Sequence, residues 1–295
     1  MKNTIFTGCA TALITPFNKD NTVNYKKLEE VIEKQISEGI DALVICGTTG
    51  ESATLNNEEH IDVLKKAIQI ANKRIPIIAG TGSNDTNYAT ELSLEAESLG
   101  ADALLMVTPY YNKTSQDGLY AHFSHVANRV SLPIILYNVP SRTGVNIKPE
   151  TYCKLSKIDN IVAAKEANGD ISSVAKTISL CGDNLDVYSG NDDQIVPILS
   201  LGGKGVISVL SNIIPKQTHE LCAAYFSGNT ELATKMQLEY LELINLLFCD
   251  VNPIPVKAAM NILGYDVGHL RLPLVELSDD KKLLLTNEMR KLNLL

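Results

Sequence analysis

Short apolar segments alternate with longer amphipathic segments along most of the chain. The apolar segments include "DALVICG", "IPIIAGTG", "DALLMVTP" and "LPIILYNVP", and a stretch with helical periodicity follows each of them. In "YKKLEEVIEKQISEG", the apolar positions Leu28, Val31, Ile32 and Ile36 recur at the i, i+3, i+4 spacing of an amphipathic helix. The apolar segments contain few polar positions, which is typical of parallel strands that are covered on both faces.

This strand–helix unit occurs eight times, from "CATALIT" near the start to "KGVISVLS" and the helical "PKQTHELCAAYFSG" that follows it. Eight parallel strands close a (β/α)8 barrel, and a length of 228 residues suits that fold. A doubly wound open sheet is the alternative, but it usually has fewer strands and a glycine-rich first turn. The first turn here, "TPFNKDNTVN", has no glycine. The pattern therefore predicts an α/β fold, a (β/α)8 TIM barrel over residues 1–228.

The strand pattern stops after Gly228, and only helical periodicity follows it. Three segments predict helices, namely "NTELATKMQLEYLELINLLF", "NPIPVKAAMNILGY" and "SDDKKLLLTNEMRKL". No low-complexity segment or charge block marks a flexible linker between these segments and the barrel. We therefore expect a C-terminal three-helix extension, which forms a helical domain over residues 229–295.

Composition and charge narrow the class of function. The chain has 295 residues, of which 45% are hydrophobic and 20% charged, and its net charge is −8 with a pI near 5.2. An acidic chain argues against nucleic acid or an anionic membrane as the partner, since both require basic patches. No apolar run approaches the roughly 18 residues of a membrane-spanning helix. The first residues, "MKNTIFTGCATALITPF", read better as a strand than as a signal peptide because Thr and Pro interrupt the apolar run.

The cysteines and histidines give no sign of a metal site. The six cysteines lie far apart and form no CxxC pair, which predicts reduced, mostly buried thiols and a cytoplasmic location. Cys46 has no histidine placed to activate it and is expected to be a core thiol. His122 and His125 are three residues apart on a predicted helix, but no third ligand is evident. We therefore interpret both as helix-surface or interface residues and expect no bound metal.

Polar side chains converge on the mouth of the predicted barrel, where the C-terminal ends of the strands carry the active site in this fold. The strand ends deliver Thr48 and Thr49 in "GTTGES", Tyr110 and Tyr111 in "TPYYN", Tyr137 and Arg142 in "LYNVPSRTG", Lys165 in "IVAAKEA", Gly190 in "SGND" and Ile207 in "GVISV". A lone lysine at a strand end ordinarily extends into water. The convergence favours a buried, reactive amine at Lys165 instead.

These residue types suit imine chemistry. Burial lowers the pKa of a lysine, so that a neutral amine can attack a ketone and form a Schiff base. The protonated imine is an electron sink, and loss of an adjacent proton gives an enamine that acts as a carbon nucleophile. Tyrosine and threonine hydroxyls can relay the protons. Arg142 offers a bidentate fork for a carboxylate, so small anionic acids are the expected substrates.

Two glycine-rich segments have simpler interpretations that stay open at this point. The backbone N–H groups of "GTTGES" can hold a carboxylate, but its glycines are equally expected in a tight turn between a strand and a helix. Glu51 can serve as a charge at the N-terminus of that helix. "AGTGSND" lacks the third glycine of a dinucleotide fingerprint, so it is interpreted as a turn.

The chain resembles the dihydrodipicolinate synthase family of pyruvate-dependent class I aldolases. The resemblance runs from Thr7 to Leu295 and rests on "GTTGESATL", "VTPYYNK", "SQDGLYAHF", "ILYNVPSRTG", "IVAAKEA", "SGND", "GGKGVISV" and "NPIPVK". It implies condensation of pyruvate with L-aspartate 4-semialdehyde to 4-hydroxy-tetrahydrodipicolinate, the first committed step of the diaminopimelate and lysine pathway. It implies no cofactor other than the covalent imine between Lys165 and pyruvate.

The same resemblance implies a role for each site residue. Lys165 would form the imine, and Tyr137 would move protons to and from the substrate. Thr48 and Tyr111 would extend this relay, and Tyr111 would do so in the neighbouring subunit's site. Such sharing implies a homo-oligomer, usually a tetramer that is a dimer of dimers. The substrate-binding set would be Thr48 and Thr49 for the pyruvate carboxylate, Arg142 for the carboxylate of the semialdehyde, and Gly190 and Ile207 around Lys165.

Two other functions are weighed against this one. A lyase of sialic acid or of 2-keto-3-deoxy sugar acids would keep the Lys–Tyr pair, but such relatives typically lack the counterparts of Arg142 and Tyr111. A catalytically silent sensor of small acids would not need the intact set of Lys165, Tyr137, Thr48 and Tyr111. The sequence therefore favours the synthase.

Feedback inhibition by lysine is the last expectation drawn from the resemblance. In lysine-sensitive relatives the allosteric pocket lies at a dimer interface, and the aligned residues here are Ser52, Ala53, Asn57, His60, Asn84, Tyr88 and Tyr110. Asn57 stands where a histidine is frequent, and Tyr88 replaces the glutamate that pairs with the ammonium group of the effector. The pocket is therefore degenerate, and weak or absent inhibition is expected.

Overall fold

Eight parallel strands form a closed barrel in the computed structural model, which describes residues 2–295. The strands are β1 (Gly8–Ala12), β2 (Ala42–Ile45), β3 (Ile77–Gly80), β4 (Ala103–Val107), β5 (Ile134–Asn138), β6 (Ile161–Glu166), β7 (Asp186–Ser189) and β8 (Gly205–Ser208). They follow one another in chain order, and β8 pairs with β1 to close the barrel. The predicted (β/α)8 fold is confirmed.

Helices follow the strands and surround the barrel. They are α1 (Tyr25–Ser37), α2 (Asn57–Ala71), α3 (Thr86–Leu99), α4 (Gln116–Ala127), α5 (Pro140–Thr143), α6 (Pro149–Leu155), α7 (Ile171–Cys181), α8 (Ile195–Ser200) and α9 (Pro215–Phe226). Several begin where the sequence supplies a cap. Asn56 accepts from the backbone N–H of Glu59, whose carboxylate accepts from the N–H of Asn56, a capping box at the start of α2. The single-turn α5, which carries Arg142, has no counterpart in the apolar periodicity.

The core has an inner and an outer part because successive strand residues face opposite sides of the barrel wall. The inner part is a cluster of small and medium side chains that includes Ala10, Val44 and Ile135, together with Tyr137 and Ile207. The outer part lies between the strands and the helices and is larger. The polar side chains that reach the mouth of the barrel thus stand on a packed, rigid interior.

The C-terminal helices pack on the barrel. They are α10 (Thr230–Glu239), α11 (Leu241–Leu247), α12 (Ile254–Ile262) and α13 (Asp279–Lys291). The first of the three predicted helices is interrupted at Tyr240, where φ is −90° and ψ is 0°, so that α10 and α11 are consecutive segments. Leu243 and Met260 belong to the same apolar cluster as Leu13 of the barrel. The division into residues 1–228 and 229–295 stays a prediction, and its first residue, Met1, lies outside the described residues.

The structure also shows where the cysteines and histidines lie. All six cysteines are free, and four of them are buried, including Cys46, whose pKa is raised by burial. His122 is buried, so the prediction of a helix-surface residue is wrong for it. Its Nδ1 lies 2.9 Å from the Thr86 hydroxyl, and burial lowers the pKa of the imidazole to about 4. Within residues 2–295, no cluster of three His, Cys, Asp or Glu side chains could hold a metal ion. Among the same residues, no helix is both long and apolar enough to cross a membrane.

Candidate active site

Lys165 and Tyr137 stand side by side inside the mouth of the barrel. They are directly paired residues of β6 and β5, so their side chains leave the barrel wall in the same direction. The Lys165 Nζ lies 4.3 Å from the centroid of the Tyr137 ring, which is a cation–π distance. Both side chains are buried, with exposures of 6% and 7%. The sequence-predicted pair of lysine and tyrosine is thus brought into contact.

Burial changes the acid–base behaviour of both groups. Desolvation lowers the pKa of Lys165 to about 8; the charge of the buried Asp192 opposes this shift, and that of Arg142 reinforces it. Burial raises the pKa of Tyr137, against smaller opposing effects of Arg142 and of the Thr48 hydroxyl. A lysine with a pKa near 8 has a substantial neutral fraction at physiological pH, and the tyrosine stays protonated. The pair therefore supplies an amine nucleophile and an adjacent proton donor.

The turn after β2 brings Thr48 and Thr49 to the same mouth. Gly50 and Ser52 donate backbone hydrogen bonds to the carbonyl of Gly47, and these close the turn tightly. In the described part of the chain, the backbone N–H groups of Thr48 and Thr49 donate to no protein acceptor. Two free amides and the Thr48 hydroxyl make this turn a suitable cradle for a carboxylate. The tight turn and the binding role, left as alternatives by the sequence, are compatible.

Arg142 lies on α5 and lines the same cavity as Thr48. The residue is exposed, and Nη2 of its guanidinium donates to the backbone carbonyl of Asn252 at 3.0 Å. The Asn252 side chain in turn donates from Nδ2 to the Thr49 hydroxyl at 3.0 Å. Asn252 comes just before α12, so a residue of the C-terminal segment links Arg142 to Thr49. The strand pattern could not reveal Asn252, although the motif "NPIPVK" begins with it.

Gly190 lies beside Lys165, and Ile207 lies in the inner cluster of the barrel. The N–H of Gly190 donates to the carbonyl of Glu166 at 2.7 Å, which holds the end of β7 against β6. A Cβ atom at Gly190 would lie 3.2 Å from Lys165 Cε and 2.7 Å from Ala167 Cβ. Ile207 is fully buried in the inner cluster. The structure thus places a glycine where any side chain would crowd the lysine.

Glu166 lies next to Lys165 in the chain but on the outer face of β6. Its carboxylate accepts from the Tyr152 hydroxyl and the Asn138 amide, both at 2.9 Å, and from the backbone N–H of Asn168. Burial raises its pKa to about 7, and these hydrogen bonds limit the shift. Asn138 also donates to Asn146, so the network supports the segment that follows Arg142. Strand alternation predicts the outward direction of Glu166, but its partners are distant in sequence.

Tyr111 does not join the site within one chain. Its side chain is 91% exposed, and its backbone adopts a left-handed conformation with φ of 69°. Within residues 2–295, its hydroxyl makes no hydrogen bond. A large aromatic side chain held out in solvent is suited to a contact with a second copy of the chain.

Most of the aligned allosteric residues line one cavity of about 350 Å³ that also reaches Thr48 and Arg142. Ser52, Ala53, His60, Tyr88 and Tyr110 contribute to its wall. Asn57 accepts a hydrogen bond of 3.3 Å from the Tyr88 hydroxyl. Asn84 lies at a neighbouring cavity instead, and its carbonyl accepts from the Asn112 side chain. The Tyr88 phenol thus has Asn57 as its partner, at the position where the resemblance predicts a carboxylate in lysine-sensitive relatives.

Comparisons with known proteins agree with this architecture. The model of the Dihydrodipicolinate synthetase family matches residues 5–292. A protein of Acetivibrio thermocellus named 4-hydroxy-tetrahydrodipicolinate synthase is 58% identical over 279 residues, which covers 95% of this chain and 94% of that protein.

Two solved structures are similar over nearly the whole chain. Dihydrodipicolinate synthase from Thermotoga maritima has a TM-score of 0.97 at 43% identity, covering 99% of this chain and 100% of its own. The enzyme from Cyanidioschyzon merolae, crystallised with lysine bound, has a TM-score of 0.96 at 39% identity with the same two coverages, 99% and 100%.

Proposed function

The chain belongs to the dihydrodipicolinate synthetase family, and we propose that Lys165 carries the reaction of that family as its imine-forming residue. The reaction condenses pyruvate with L-aspartate 4-semialdehyde to 4-hydroxy-tetrahydrodipicolinate, in the pathway to diaminopimelate and lysine. The observation that carries the proposal is the buried Lys165 ammonium over the ring of Tyr137, the residue paired with it in the barrel wall.

The first steps follow from the pKa of Lys165. Its neutral amine attacks the ketone carbon of pyruvate, and loss of water leaves a protonated imine. The iminium withdraws electrons from the methyl group, which loses a proton and becomes an enamine. The enamine carbon then attacks the aldehyde of the second substrate and forms the new carbon–carbon bond. Because the iminium is the electron sink, we propose that no metal or organic cofactor takes part.

The final steps release the lysine. The amino group of the semialdehyde attacks the imine carbon within the joined intermediate, and expulsion of the Lys165 amine closes the ring. The water lost when the imine forms is the only other product, so atoms balance over the whole sequence. Lys165 leaves as a free amine and is ready for the next turnover.

Tyr137 is proposed to move the protons of these steps. Its ring contacts the Lys165 ammonium, and its raised pKa keeps the hydroxyl protonated, so that it can donate a proton to the substrate. Thr48 lies close to that hydroxyl and is proposed as the next member of the relay. Tyr111, exposed on each chain, is proposed to complete the relay in the site of a neighbouring subunit. The working form would then be a homo-oligomer, which we propose to be a tetramer built as a dimer of dimers.

We propose two anion sites at the mouth of the barrel, one for each substrate. The free amides of Thr48 and Thr49 are proposed to hold the pyruvate carboxylate. Arg142 is proposed to hold the carboxylate of the semialdehyde, since the residue is exposed and, within residues 2–295, its guanidinium makes one hydrogen bond, from Nη2. Gly190 is proposed to leave the space that the imine requires, and Ile207 is proposed to form part of the pocket wall. The six free cysteines fit a reducing compartment, and we propose the cytoplasm.

The experiment that tests this function compares substrates. Purified protein is given pyruvate with L-aspartate 4-semialdehyde, and in parallel arms a sialic acid or a 2-keto-3-deoxy sugar acid. We expect turnover only with the first pair. Cleavage of a sugar acid without condensation would favour the lyase alternative, and ligand binding without any turnover would favour a sensor.

A further inference from the structure

The Thr48–Thr49 turn is held by a residue in an unfavourable backbone conformation. Glu51 has φ of 54° and ψ of 35°, a left-handed conformation that residues with a Cβ atom rarely adopt. Such a conformation persists only where surrounding contacts determine it. Its side chain is 2% exposed and paired with Lys257, so the sequence's alternative interpretation of Glu51, a charge at a helix N-terminus, does not describe its main contact.

Those contacts come from the C-terminal segment. The Lys257 Nζ on α12 lies 2.6 Å from Glu51 Oε1, and both side chains are 2% exposed. The other carboxylate oxygen of Glu51 accepts from the backbone N–H of Arg271 at 3.0 Å. Arg271 pairs with Glu59 on α2 and stacks on the Phe17 ring from 4.3 Å, and Lys257 lies 4.2 Å from the same ring. The carboxylate of Glu51 therefore has an ion pair at one oxygen and a backbone hydrogen bond at the other.

Stability alone is a poor reason for this pair. Desolvating two charges costs so much that an apolar pair of the same size is often at least as stable. Burial lowers the pKa of Lys257 to about 8 even though the charge of Glu51 opposes the shift, which shows how costly its charge is there. Lys257 also donates to the carbonyl of His269 at 2.9 Å, so the ammonium has a defined orientation. A buried charge that is retained at such cost indicates a geometric requirement.

The Glu51–Lys257 pair adjoins the turn that is proposed to bind the pyruvate carboxylate. Thr48 and Thr49 lie within three residues of Glu51 in the same turn, and the Thr48 carbonyl accepts from the Glu51 N–H at 3.1 Å. Asn252, at the other end of the contact between α12 and the barrel, holds the Thr49 hydroxyl with its side chain and Arg142 with its carbonyl. One segment of the chain thus touches both proposed carboxylate sites.

We propose that Lys257, Glu51 and Asn252 are positioning residues, through which the C-terminal helices set the conformation of the Thr48–Thr49 turn for pyruvate binding. The inference rests on the proposed role of that turn as the pyruvate cradle. None of the three residues needs to touch the reacting atoms. They act by holding the conformation of the turn that carries the two free amides.

The test measures reductive trapping of pyruvate by borohydride as a function of pyruvate concentration, so that half-saturation and limiting rate are obtained separately. The variants are Lys257→Met, Glu51→Gln, the double variant of both, and Asn252→Ala. Lys282→Met is the matched control, because Lys282 lies in the same C-terminal region but forms an exposed pair with Glu276. Thermal unfolding of each protein is recorded in parallel.

We expect the Lys257 and Glu51 variants to raise the half-saturating pyruvate concentration by roughly tenfold or more. The limiting rate should change less, and Lys282→Met should match the unsubstituted chain. The double variant removes the unpaired buried charge, so its unfolding temperature should recover while its pyruvate half-saturation stays raised. Asn252→Ala, which leaves the ion pair intact, should raise half-saturation in the same direction.

Recovery of both stability and half-saturation in the double variant would overturn the inference, because the pair would then be merely structural. Unchanged half-saturation in a folded Glu51→Gln or Asn252→Ala protein would do the same, even if Lys257→Met fails to fold. Absence of trapping in the unsubstituted chain would overturn the proposed function together with the inference. Normal trapping in the unsubstituted chain, with the same half-saturating pyruvate concentration in every variant, would overturn the inference alone.

Discussion

At the scale of single residues, Lys165 decides what the site can do, and its burial has a cost that can be measured. A pKa of about 8 instead of 10.5 means that the folded chain holds the proton less tightly than the unfolded chain. The unfolded state therefore binds more protons between pH 8 and 10.5, and stability rises with pH across that window. Below pH 8 the full cost of the buried ammonium is present, and it amounts to about 3 kcal/mol.

We predict that Lys165→Met is more stable than the unsubstituted chain at pH 7, by up to about 3 kcal/mol. The advantage should shrink as the pH rises above 8, because the native lysine then loses its proton. Urea unfolding of both proteins at pH 7 and pH 9 measures this. Lys176→Met, at an exposed position of α7, is the control and should stay within about 0.5 kcal/mol. A Lys165→Met protein that is less stable at pH 7 would contradict the assigned cost.

Arg142 gives the second prediction at this scale. Arg142→Ala should impair use of the semialdehyde much more than imine formation with pyruvate, since the guanidinium is proposed to bind only the second carboxylate. Loss of a charge-assisted contact should cost about 1.5 to 3 kcal/mol, or roughly 10- to 150-fold in kcat/KM. Arg142→Lys keeps the charge without the planar fork, so its kcat/KM should fall between those of Arg142→Ala and the unsubstituted chain.

Separate kinetics of the half-reaction with pyruvate and of the full reaction decide the question. Equal damage to both would indicate that Arg142 mainly holds Asn252, with which it shares a hydrogen bond, and would remove the second anion site from the account.

At the scale of elements, the end of β7 must stay free of a side chain. We predict that Gly190→Ala slows imine formation by roughly tenfold or more, because its Cβ would lie 3.2 Å from Lys165 Cε and 2.7 Å from Ala167 Cβ. The control is Gly39→Ala, which has open space but a φ of 85°. It should lose about 1 kcal/mol of stability and no activity. Trapping rates and unfolding midpoints separate crowding of the lysine from general destabilisation.

The elements also show what the sequence could and could not reveal. Periodicity predicts all eight strands because it is a local property, and the barrel fold then brings the ends of the strands, Lys165 and Tyr137 among them, to one mouth. The interruption between α10 and α11 at Tyr240 could not be predicted from the sequence, because the helical pattern of apolar positions continues through it and only the backbone angles change.

The contacts between distant segments were out of reach of the sequence. The pairing of Glu51 with Lys257 joins the first quarter of the chain to its end, and neither neighbourhood looks unusual alone. The burial of His122 likewise depends on the packing of α4 against α3. Charged and polar residues inside a fold are therefore found only when the fold brings their partners together.

At the scale of the whole molecule, activity should depend on assembly. We predict that Tyr111→Phe lowers turnover and that isolated monomers are inactive, because the exposed Tyr111 is proposed to act in a neighbouring site. Tyr120→Phe is the matched control and should retain turnover. Tyr120 is also an exposed tyrosine, but it lies on α4. Kinetics and sedimentation over one dilution series test this. Full activity in a demonstrated monomer would exclude a shared site.

Inhibition by lysine is the second property of the assembly. We predict weak or absent inhibition, because the Tyr88 phenol cannot replace a carboxylate and an unpaired buried ammonium costs about 3 kcal/mol, roughly a hundredfold in affinity. Glu51 cannot take over this role, since Lys257 and Arg271 already occupy its carboxylate. A dose–response curve should show no half-inhibition at submillimolar lysine. Tyr88→Glu should raise lysine affinity if the rest of the cavity is sound, and strong inhibition without that change would contradict the prediction.

The central claim is that Lys165 forms an imine with pyruvate, and one measurement tests it most directly. The protein is treated with borohydride in the presence of pyruvate, and intact mass followed by peptide mapping locates the adduct. We predict a single reduced pyruvate per chain on the peptide that contains Lys165, and none in a folded Lys165→Ala variant, which should also lack turnover. An adduct on another lysine, or substantial turnover by Lys165→Ala, would contradict the account.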